Sequence, residues 1–233
     1  MDDVWALTEV LTGFTTVLVA SPTTDRVLEE LTASVTGLLS LAGSGVSVLA
    51  DGRLRHIATS PGPAAELEQC QEQWQQGPGC DATASGETVC CADVREQHVR
   101  WPSYAARAET IGIAGAASVS MNLDDETVGA LCLYAAEPRT WSGDELGAAK
   151  VFANIAAFYL ITASKLEQQQ RLSTQLRHAL DSRIVIEQAK GIIAAERHTS
   201  IDEAFTLMRG HARSRSRSIQ EIAGAIVEGV FRP

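Results

Sequence analysis

The sequence lacks a long apolar run, and no stretch reaches the ~20 consecutive apolar residues that a membrane-spanning helix needs. It also lacks the basic start of a secretory signal peptide, because Asp2 and Asp3 stand at the N-terminus instead. These absences argue against a membrane-spanning or secreted protein, and we expect a cytoplasmic one.

Cysteine is sparse and has no metal-site spacing. The chain has five cysteines, an odd number, which without a secretion signal indicates free thiols in a reducing compartment. Cys70, Cys80 and Cys90 are ten residues apart, unlike the C-x2-C of zinc sites, so we expect no metal. Adjacent Cys90 and Cys91 would point to opposite faces of a strand. Small core hydrophobes are the expected role of the thiols, with redox sensing as the alternative.

Basic charge is scarce in the first two thirds of the chain. The whole chain has 19 Lys and Arg against 29 Asp and Glu, a formal net charge of −10. Residues 165–233 hold 11 basic and 8 acidic residues, a net of +3, which leaves −13 for residues 1–164. An acidic surface repels phosphate, so we expect nucleic acid to contact only the C-terminal part.

Catalytic motifs are also missing from the sequence. His56 falls on a predicted strand and His98 in a predicted loop. Neither has a Ser or Cys nucleophile at a recognisable spacing, and a lone histidine is usually structural. We therefore expect that the protein is not an enzyme.

Three helical patterns follow one another in the last fifty residues. Ser-x-x-Glu capping boxes start two of them, at Ser200 with Glu203 and at Ser218 with Glu221. Each helix is too short to be stable alone, so we expect a three-helix bundle over residues 181–233. Apolar residues at helical spacing are Val185, Ala189, Ile192 and Ile193, then Ala204, Phe205, Met208 and Ala212, then Ile219, Ile222, Ala223, Ile226 and Val227.

Motif residues in this stretch resemble the ANTAR domain. They are Ser182-Arg183, Glu187-Gln188-Ala189-Lys190-Gly191-Ile192-Ile193, Ser200, Glu203-Ala204-Phe205, Ala212 and Glu221-Ile222-Ala223. The resemblance implies an RNA-binding module that binds paired stem-loops in nascent transcripts and favours antitermination of transcription. We expect RNA and not DNA as the partner. Periodicity alone indicates only a helical bundle.

The first group of candidate RNA contacts lies on the first bundle helix and consists of Arg183, Glu187, Gln188, Lys190 and Gly191. Arg183, Glu187 and Lys190 are expected on the face opposite the apolar stripe. The Gln188 amide both donates and accepts, which suits base edges, while its alternative is a solvated residue. Gly191 would let an RNA backbone come close, and its alternative is a glycine that eases helix packing.

The second group is Arg213, Arg215 and Arg217, which alternate with serines in the predicted loop before the third helix. Guanidinium groups suit phosphates and stack on unpaired bases. The alternative is a solvated basic loop. This stretch departs from the family, whose members have a shorter, less basic turn that contains asparagine.

The first 162 residues predict an α+β domain. Asp51-Gly52 is a strong hairpin turn signal, and Asp124-Asp125-Glu126 indicates a second hairpin. Helices are predicted at 4–20, 24–41, 104–110 and from the capping box Ser142/Glu145, strands at 45–50, 54–59, 88–92, 116–123 and 127–135, a polar helix or structured loop at 64–76, and a turn at 77–79.

Several motifs in this domain resemble the GAF domain, an antiparallel sheet with helices on one face and a ligand pocket on the other. They are Gly77-Pro-Gly-Cys80-Asp81-Ala82, Gly86, Trp101-x2-Tyr104, Gly112 and Gly129-Ala-Leu-Cys-Leu-Tyr134. The resemblance implies a sensor whose pocket would involve Cys80, Trp101 and Tyr104. The motifs of bilin-binding and cyclic-nucleotide-binding relatives are missing, so the cofactor is unknown. We expect none to be required, and at most an unidentified small-molecule ligand of the GAF domain. A GAF domain followed by an ANTAR domain is an arrangement of actinobacterial regulators.

Residues 151–180 contain no Gly or Pro and carry a narrow apolar seam. The seam predicts a coiled-coil linker helix at 163–180 in a homodimer, and the alternative is a helix folded back on its own sheet. The sequence therefore predicts a GAF sensor at 1–162, this linker, and an ANTAR bundle at 181–233. The expected function is signal-responsive RNA binding in antitermination. The alternative is a small-molecule or redox sensor whose helical tail docks a protein partner.

Overall fold

A computed structural model describes residues 8, 12, 23–123 and 126–231. The helix predicted at 4–20 lies outside the described residues except for Thr8 and Thr12, which are helical. Residues 124–125 of the second predicted hairpin turn also lie outside them.

The chain divides into two compact units, Met1–Ser164 and Lys165–Pro233. The first unit pairs a five-stranded sheet with helices. Its elements are α1 (Thr24–Leu38), β1 (Gly43–Ala50), β2 (Arg53–Thr59), α2 (Ala64–Trp74), α3 (Pro78–Ser85), β3 (Val89–Cys91), a 3-10 turn (Val94–Glu96), α4 (Pro102–Ile111), β4 (Gly115–Leu123), β5 (Glu126–Ala135) and the start of α5 (Gly143–Arg197).

The strand order is β2-β1-β5-β4-β3, and every neighbouring pair is antiparallel. The β1–β2 turn has both central residues in the left-handed region, Asp51 at φ 52° and Gly52 at φ 72°, as its Asp-Gly sequence predicts. The predicted α+β domain with a central antiparallel sheet is confirmed.

Each face of the sheet has its own core because side chains alternate along a strand. On β5, Leu131 and Leu133 pack with α1 residues and with Phe152 of α5. Cys132 and Tyr134 point the other way and pack in the core that contains residues of α2 and α4. The second core is the side on which the candidate pocket residues lie.

One local prediction is wrong. The Gly77-Pro78-Gly79 segment is not a free turn but the start of α3, with Gly77 as N-cap at φ 131° and Pro78 as a first helical residue. Proline suits that position because its missing N–H has no helical partner there anyway.

The second unit contains the rest of α5, then α6 (Ile201–Ser214) and α7 (Ile219–Val227). The expectation of three short helices with sharp boundaries is wrong at the first boundary, since α5 runs through residue 181 without a break. No Gly or Pro interrupts that stretch, and Ser182 Oγ donates to the His178 carbonyl at 2.7 Å instead of capping a helix.

By length and composition alone, α5 is long and apolar enough to cross a membrane. Its residues Phe152, Ala153 and Ala156 are buried in the core of the first unit. A core helix passes the same composition test, so this is weak evidence for a membrane span.

Gly129 on β5 is required by close packing of the sheet. A Cβ there would meet the Ser47 carbonyl oxygen and would lie 2.6 Å from Met121 Cε. We expect Gly129→Ala to lower the free energy of unfolding by about 3 kcal/mol. Urea unfolding followed by tryptophan fluorescence measures this. Gly147→Ala on α5 is the matched control, because nothing lies within 4 Å of its added Cβ. Equal midpoints for the two variants would contradict this explanation.

Candidate nucleic-acid interface

Two capping boxes set the start of α6 and α7. Ser200 N donates to Glu203 Oε2 at 3.0 Å, and Glu203 N donates to Ser200 Oγ at 3.2 Å. Ser218 and Glu221 repeat the pattern at 2.9 and 3.1 Å. Each box pairs backbone N–H groups that a helix start leaves free, as the sequence predicts.

A small apolar core joins α5, α6 and α7. The stripes predicted from helical spacing meet in this core, and their burial fixes the rotation of each helix. The buried members are Ala189, Ile193, Ala204, Met208, Ala212, Ile222, Ala223 and Ile226.

The structure separates the first group of candidate RNA contacts. Arg183, Glu187 and Gln188 are exposed. Lys190 is not on an open face, because its side chain is only 14% exposed and Nζ donates to both Glu187 carboxylate oxygens at 2.9 and 3.0 Å. Its ammonium also lies 5.4 Å from the centroid of the Phe205 ring. The expectation that Lys190 faces away from the bundle is therefore wrong: it lies at the edge of the α5–α6 contact.

Gly191 is exposed, and a Cβ added there would meet nothing within 4 Å among the described residues. The alternative explanation, a glycine that eases packing between helices of the bundle, is therefore wrong for this structure. A glycine inside a helix costs ~1 kcal/mol relative to alanine, and no close packing of the described residues requires one here. The position leaves the α5 backbone open to a partner.

The three arginines of the second group do not share one loop. Arg213 lies inside α6, which extends to Ser214. Arg215 and Arg217 lie in the turn before α7, where Ser216 has φ 51°. Arg215 packs its guanidinium 4.4 Å from the centroid of the Phe231 ring. All three arginines are exposed.

Sequence reasoning missed two residues beside this group, Phe205 and Arg209. The sequence places Phe205 in the apolar stripe and in the family motif but not among the RNA contacts, yet it is half-buried and lines a 240 Å³ cleft. The cleft residues are Phe205, Arg209, Ala212, Arg213 and Ile219. The spacing of Phe205, Arg209 and Arg213, four residues apart on α6, is the signal that could have found them.

In the first unit, the candidate pocket residues are part of a packed core. Trp101 and Tyr104 are 2% and 0% exposed, with ring centroids 5.9 Å apart at 76°. Trp101 Nε1 donates to Asp81 Oδ2 at 3.2 Å, and Arg100 lies 4.6 Å from the Trp101 ring centroid. Cys80 lies on α3 and is half-buried.

A buried polar network fills the interior beside these residues. Glu68 is 0% exposed and accepts hydrogen bonds from Ser47 Oγ and Tyr134 Oη, both at 2.6 Å. Gln71 donates through Nε2 to Tyr134 Oη at 3.1 Å and accepts from Gly79 N at 2.7 Å. Glu68, Gln71, Ser47 and Tyr134 thus satisfy one another, whereas Tyr104 Oη is buried in the same core without a hydrogen-bond partner among the described residues.

The thiols are poorly suited to redox chemistry. Burial raises the pKa of the Cys80 thiol to about 12 and raises the pKa of Cys91 as well. The thiolate is the reactive form, so these environments disfavour it. Cys90 is exposed and Cys91 buried, as expected for adjacent strand residues.

Comparison with known proteins fits the two units. The GAF domain family matches residues 22–160, and the ANTAR domain family matches residues 174–227. No curated protein matches the chain.

Among solved structures, the GAF domain of a phosphoenolpyruvate-protein phosphotransferase from Acinetobacter has a TM-score of 0.58 at 11% identity, over 72% of this chain and 98% of that one. The GAF domain of the phosphoenolpyruvate-protein phosphotransferase from Coxiella burnetii has a TM-score of 0.56 at 17% identity, and the match covers 70% of this chain and 98% of that one. Free methionine-R-sulfoxide reductase from Neisseria meningitidis, in complex with its substrate, has a TM-score of 0.54 at 15% identity, and the match covers 69% of this chain and 91% of that one. At such identities the likeness shows the fold alone.

The capping carboxylates make the second unit sensitive to acid. A backbone hydrogen bond from Ser218 holds the pKa of Glu221 below its usual 4.5, and a side-chain hydrogen bond from Thr199 does so for Glu203. A carboxylate whose pKa is lower in the folded than in the unfolded state stabilises the fold at pH values above the unfolded pKa. That stabilisation is lost as the pH falls through 4.5 and below. Glu221→Gln should therefore weaken protection of α7 amides near neutral pH and change it little near pH 3. Hydrogen exchange of wild type and variant at each pH measures this, with Glu228→Gln as control, and an unchanged difference across the range would contradict it.

Proposed function

The chain belongs to the GAF domain family and carries an ANTAR domain after its GAF domain, and from this we propose that it is a signal-responsive regulator. Its C-terminal unit binds paired stem-loops in nascent transcripts and favours antitermination. The proposal gives the chain no catalytic role and places it in the cytoplasm with the transcripts. An actinobacterial origin is part of the prediction.

The observation that carries the proposal is a set of cations on the second unit without acidic partners. Arg183, Arg209 and Arg213 are exposed. Within the described part of the chain, no carboxylate lies within 4 Å of these three guanidinium groups. An unpaired guanidinium donates a planar fork of N–H groups that matches phosphate oxygens. Gln188 and Gly191 add a base-reading amide and an open stretch of backbone beside Lys190.

The proposal includes a homodimer through the linker part of α5. Leu172, Leu176, Leu180 and Ile184 follow one another every four residues and are 54–60% exposed. A second copy of the same helix is the occupant that fits, because paired stem-loops require two bundles. An identical seam would cover these side chains without leaving unmatched polar groups.

The GAF domain would supply the signal in this proposal. A ligand can bias the regulator only if it binds two arrangements of the domain with different affinity. The hydrogen-bonded network around Glu68 supports a scaffold or a small rearrangement as readily as a preformed ligand cavity. The alternative remains a small-molecule or redox sensor whose tail docks a protein, and the thiol environments disfavour its redox form.

Removing two arginines tests the RNA interface. Arg183→Ala combined with Arg213→Ala should weaken binding of stem-loop RNA by about tenfold or more and reduce the salt dependence of binding, since each lost phosphate contact lowers the slope by about 1. Gel-shift titration at several salt concentrations measures both. The matched control is Arg26→Ala combined with Arg55→Ala, which removes equal charge from exposed positions of the first unit.

If both double variants bind RNA alike, the assigned interface is wrong. If wild type binds a DNA hairpin of the same sequence as well as RNA, the class of partner is wrong. Binding of a protein partner that persists at high salt, without RNA binding, would favour the alternative function.

Changing the linker seam tests the dimer. We expect wild type to be dimeric and Leu176→Lys to be monomeric at micromolar concentration. In a dimer of the variant, the two introduced ammonium groups would be buried next to each other across the twofold axis. Sedimentation equilibrium measures the mass. Gln175→Lys is the control, since it adds the same charge beside the seam. A monomeric wild type, or a dimeric Leu176→Lys variant, would contradict this interface.

A further inference from the structure

The cleft between α6 and α7 combines an aromatic floor with a cationic rim. Phe205, Ala212 and Ile219 supply its apolar surface, and Arg209 and Arg213 supply guanidinium groups. Its volume is 240 Å³. None of these residues was part of the predicted RNA contacts except Arg213.

Positive charge is concentrated around the Phe205 ring itself. Lys190 Nζ lies 5.4 Å and Arg209 Cζ 5.9 Å from the ring centroid. Both distances are within the range of cation–π contacts. Lys190 is also paired with Glu187, whereas Arg209 and Arg213 have no ion pair within 4 Å among the described residues.

Two requirements on an occupant follow from this arrangement. It must offer a flat or apolar group for the Phe205 ring, and it must carry negative charge for the arginines. An apolar protein side chain meets only the first requirement, and a duplex phosphate backbone meets only the second. An unpaired nucleotide meets both, since its base stacks on aromatic rings while its phosphate accepts from arginine.

We propose that this cleft binds one unpaired nucleobase from the loop of a folded RNA, stacked on Phe205 with Arg209 and Arg213 on the adjoining phosphates. The inference rests on the proposed function and names the part of the RNA that is read. Bases within a stem remain stacked on their neighbours, so the cleft selects loops. Arg183 and Gly191, outside the cleft, are left to contact the rest of the RNA.

Substitution of the ring tests the proposal in the full chain. Phe205→Leu keeps an apolar side chain but removes the stacking surface, so it should weaken binding of a loop-randomised RNA hairpin by about tenfold. Phe205→Tyr keeps the aromatic ring, so its affinity for the hairpin should lie within about twofold of the wild-type affinity. Circular dichroism checks that each variant is folded, and fluorescence anisotropy measures binding.

The outcomes separate this inference from the proposed function. If wild type binds the hairpin and Phe205→Leu binds equally well, while Arg183→Ala with Arg213→Ala binds weakly, the cleft assignment is wrong and the RNA-binding function stands. If wild type binds no hairpin, both are wrong.

A second measurement needs no variant, and so covers the case in which Phe205→Leu does not fold. The probe is the same hairpin pool with 5-bromouridine in the loop, cross-linked by light to wild type. The expected cross-link is on the tryptic peptide from His198 to Arg209, which contains Phe205. Cross-links confined to other peptides would overturn the proposal.

Discussion

Burial of a few small side chains between three helices determines everything that the second unit can present to a partner. The helix α7 has nine residues, too few to be stable in water alone. Alanines at 189, 204 and 223 are fully buried, which allows the helix backbones to approach closely. Because this core fixes how each helix is rotated, it also fixes which faces meet solvent. Arg183, Arg209 and Arg213 are exposed for the same reason that Ile193 and Met208 are buried.

The first unit buries polar groups as well, and the buried side chains of Glu68 and Gln71 are paired. Tyr104 Oη, in the same core, has no hydrogen-bond partner among the described residues. A carboxylate in an apolar interior costs several kcal/mol unless hydrogen bonds compensate. Glu68 receives two hydrogen bonds of 2.6 Å, and Gln71 holds both Tyr134 and the start of α3. A ligand that entered this interior would have to replace those bonds. Any signal received here is therefore coupled to the packing of α2 and α3 against the sheet.

Periodicity and capping predicted most of the fold from the sequence, because both are local. The three Ser-x-x-Glu boxes and the Asp51-Gly52 turn form as expected, since their partners lie within three residues. The start of the bundle could not be predicted in this way. Helical spacing marks which face of a helix is apolar, and it gives no signal where one helix merely continues another. The position of Lys190 depended on Phe205, which lies fifteen residues further on in another helix. Likewise, Arg213 belongs to α6 because the helix continues to Ser214, the first of the serines that suggested a loop.

The net charge of −10 does not conflict with an RNA partner, because charge acts locally in salt solution. At physiological ionic strength the screening length is about 8 Å, so an RNA phosphate responds to the cations that it approaches and little to the rest of the chain. The exposed guanidinium groups of Arg183, Arg209 and Arg213 would neutralise about three phosphates. Electrostatic attraction from these groups alone would give weak binding with a shallow salt dependence. Affinity must come from contacts that salt does not screen, such as stacking on an aromatic ring. Phe205 lies in a cleft with two arginines, so in this proposal the ring, more than the number of cations, decides how well the unit would distinguish a loop from a stem.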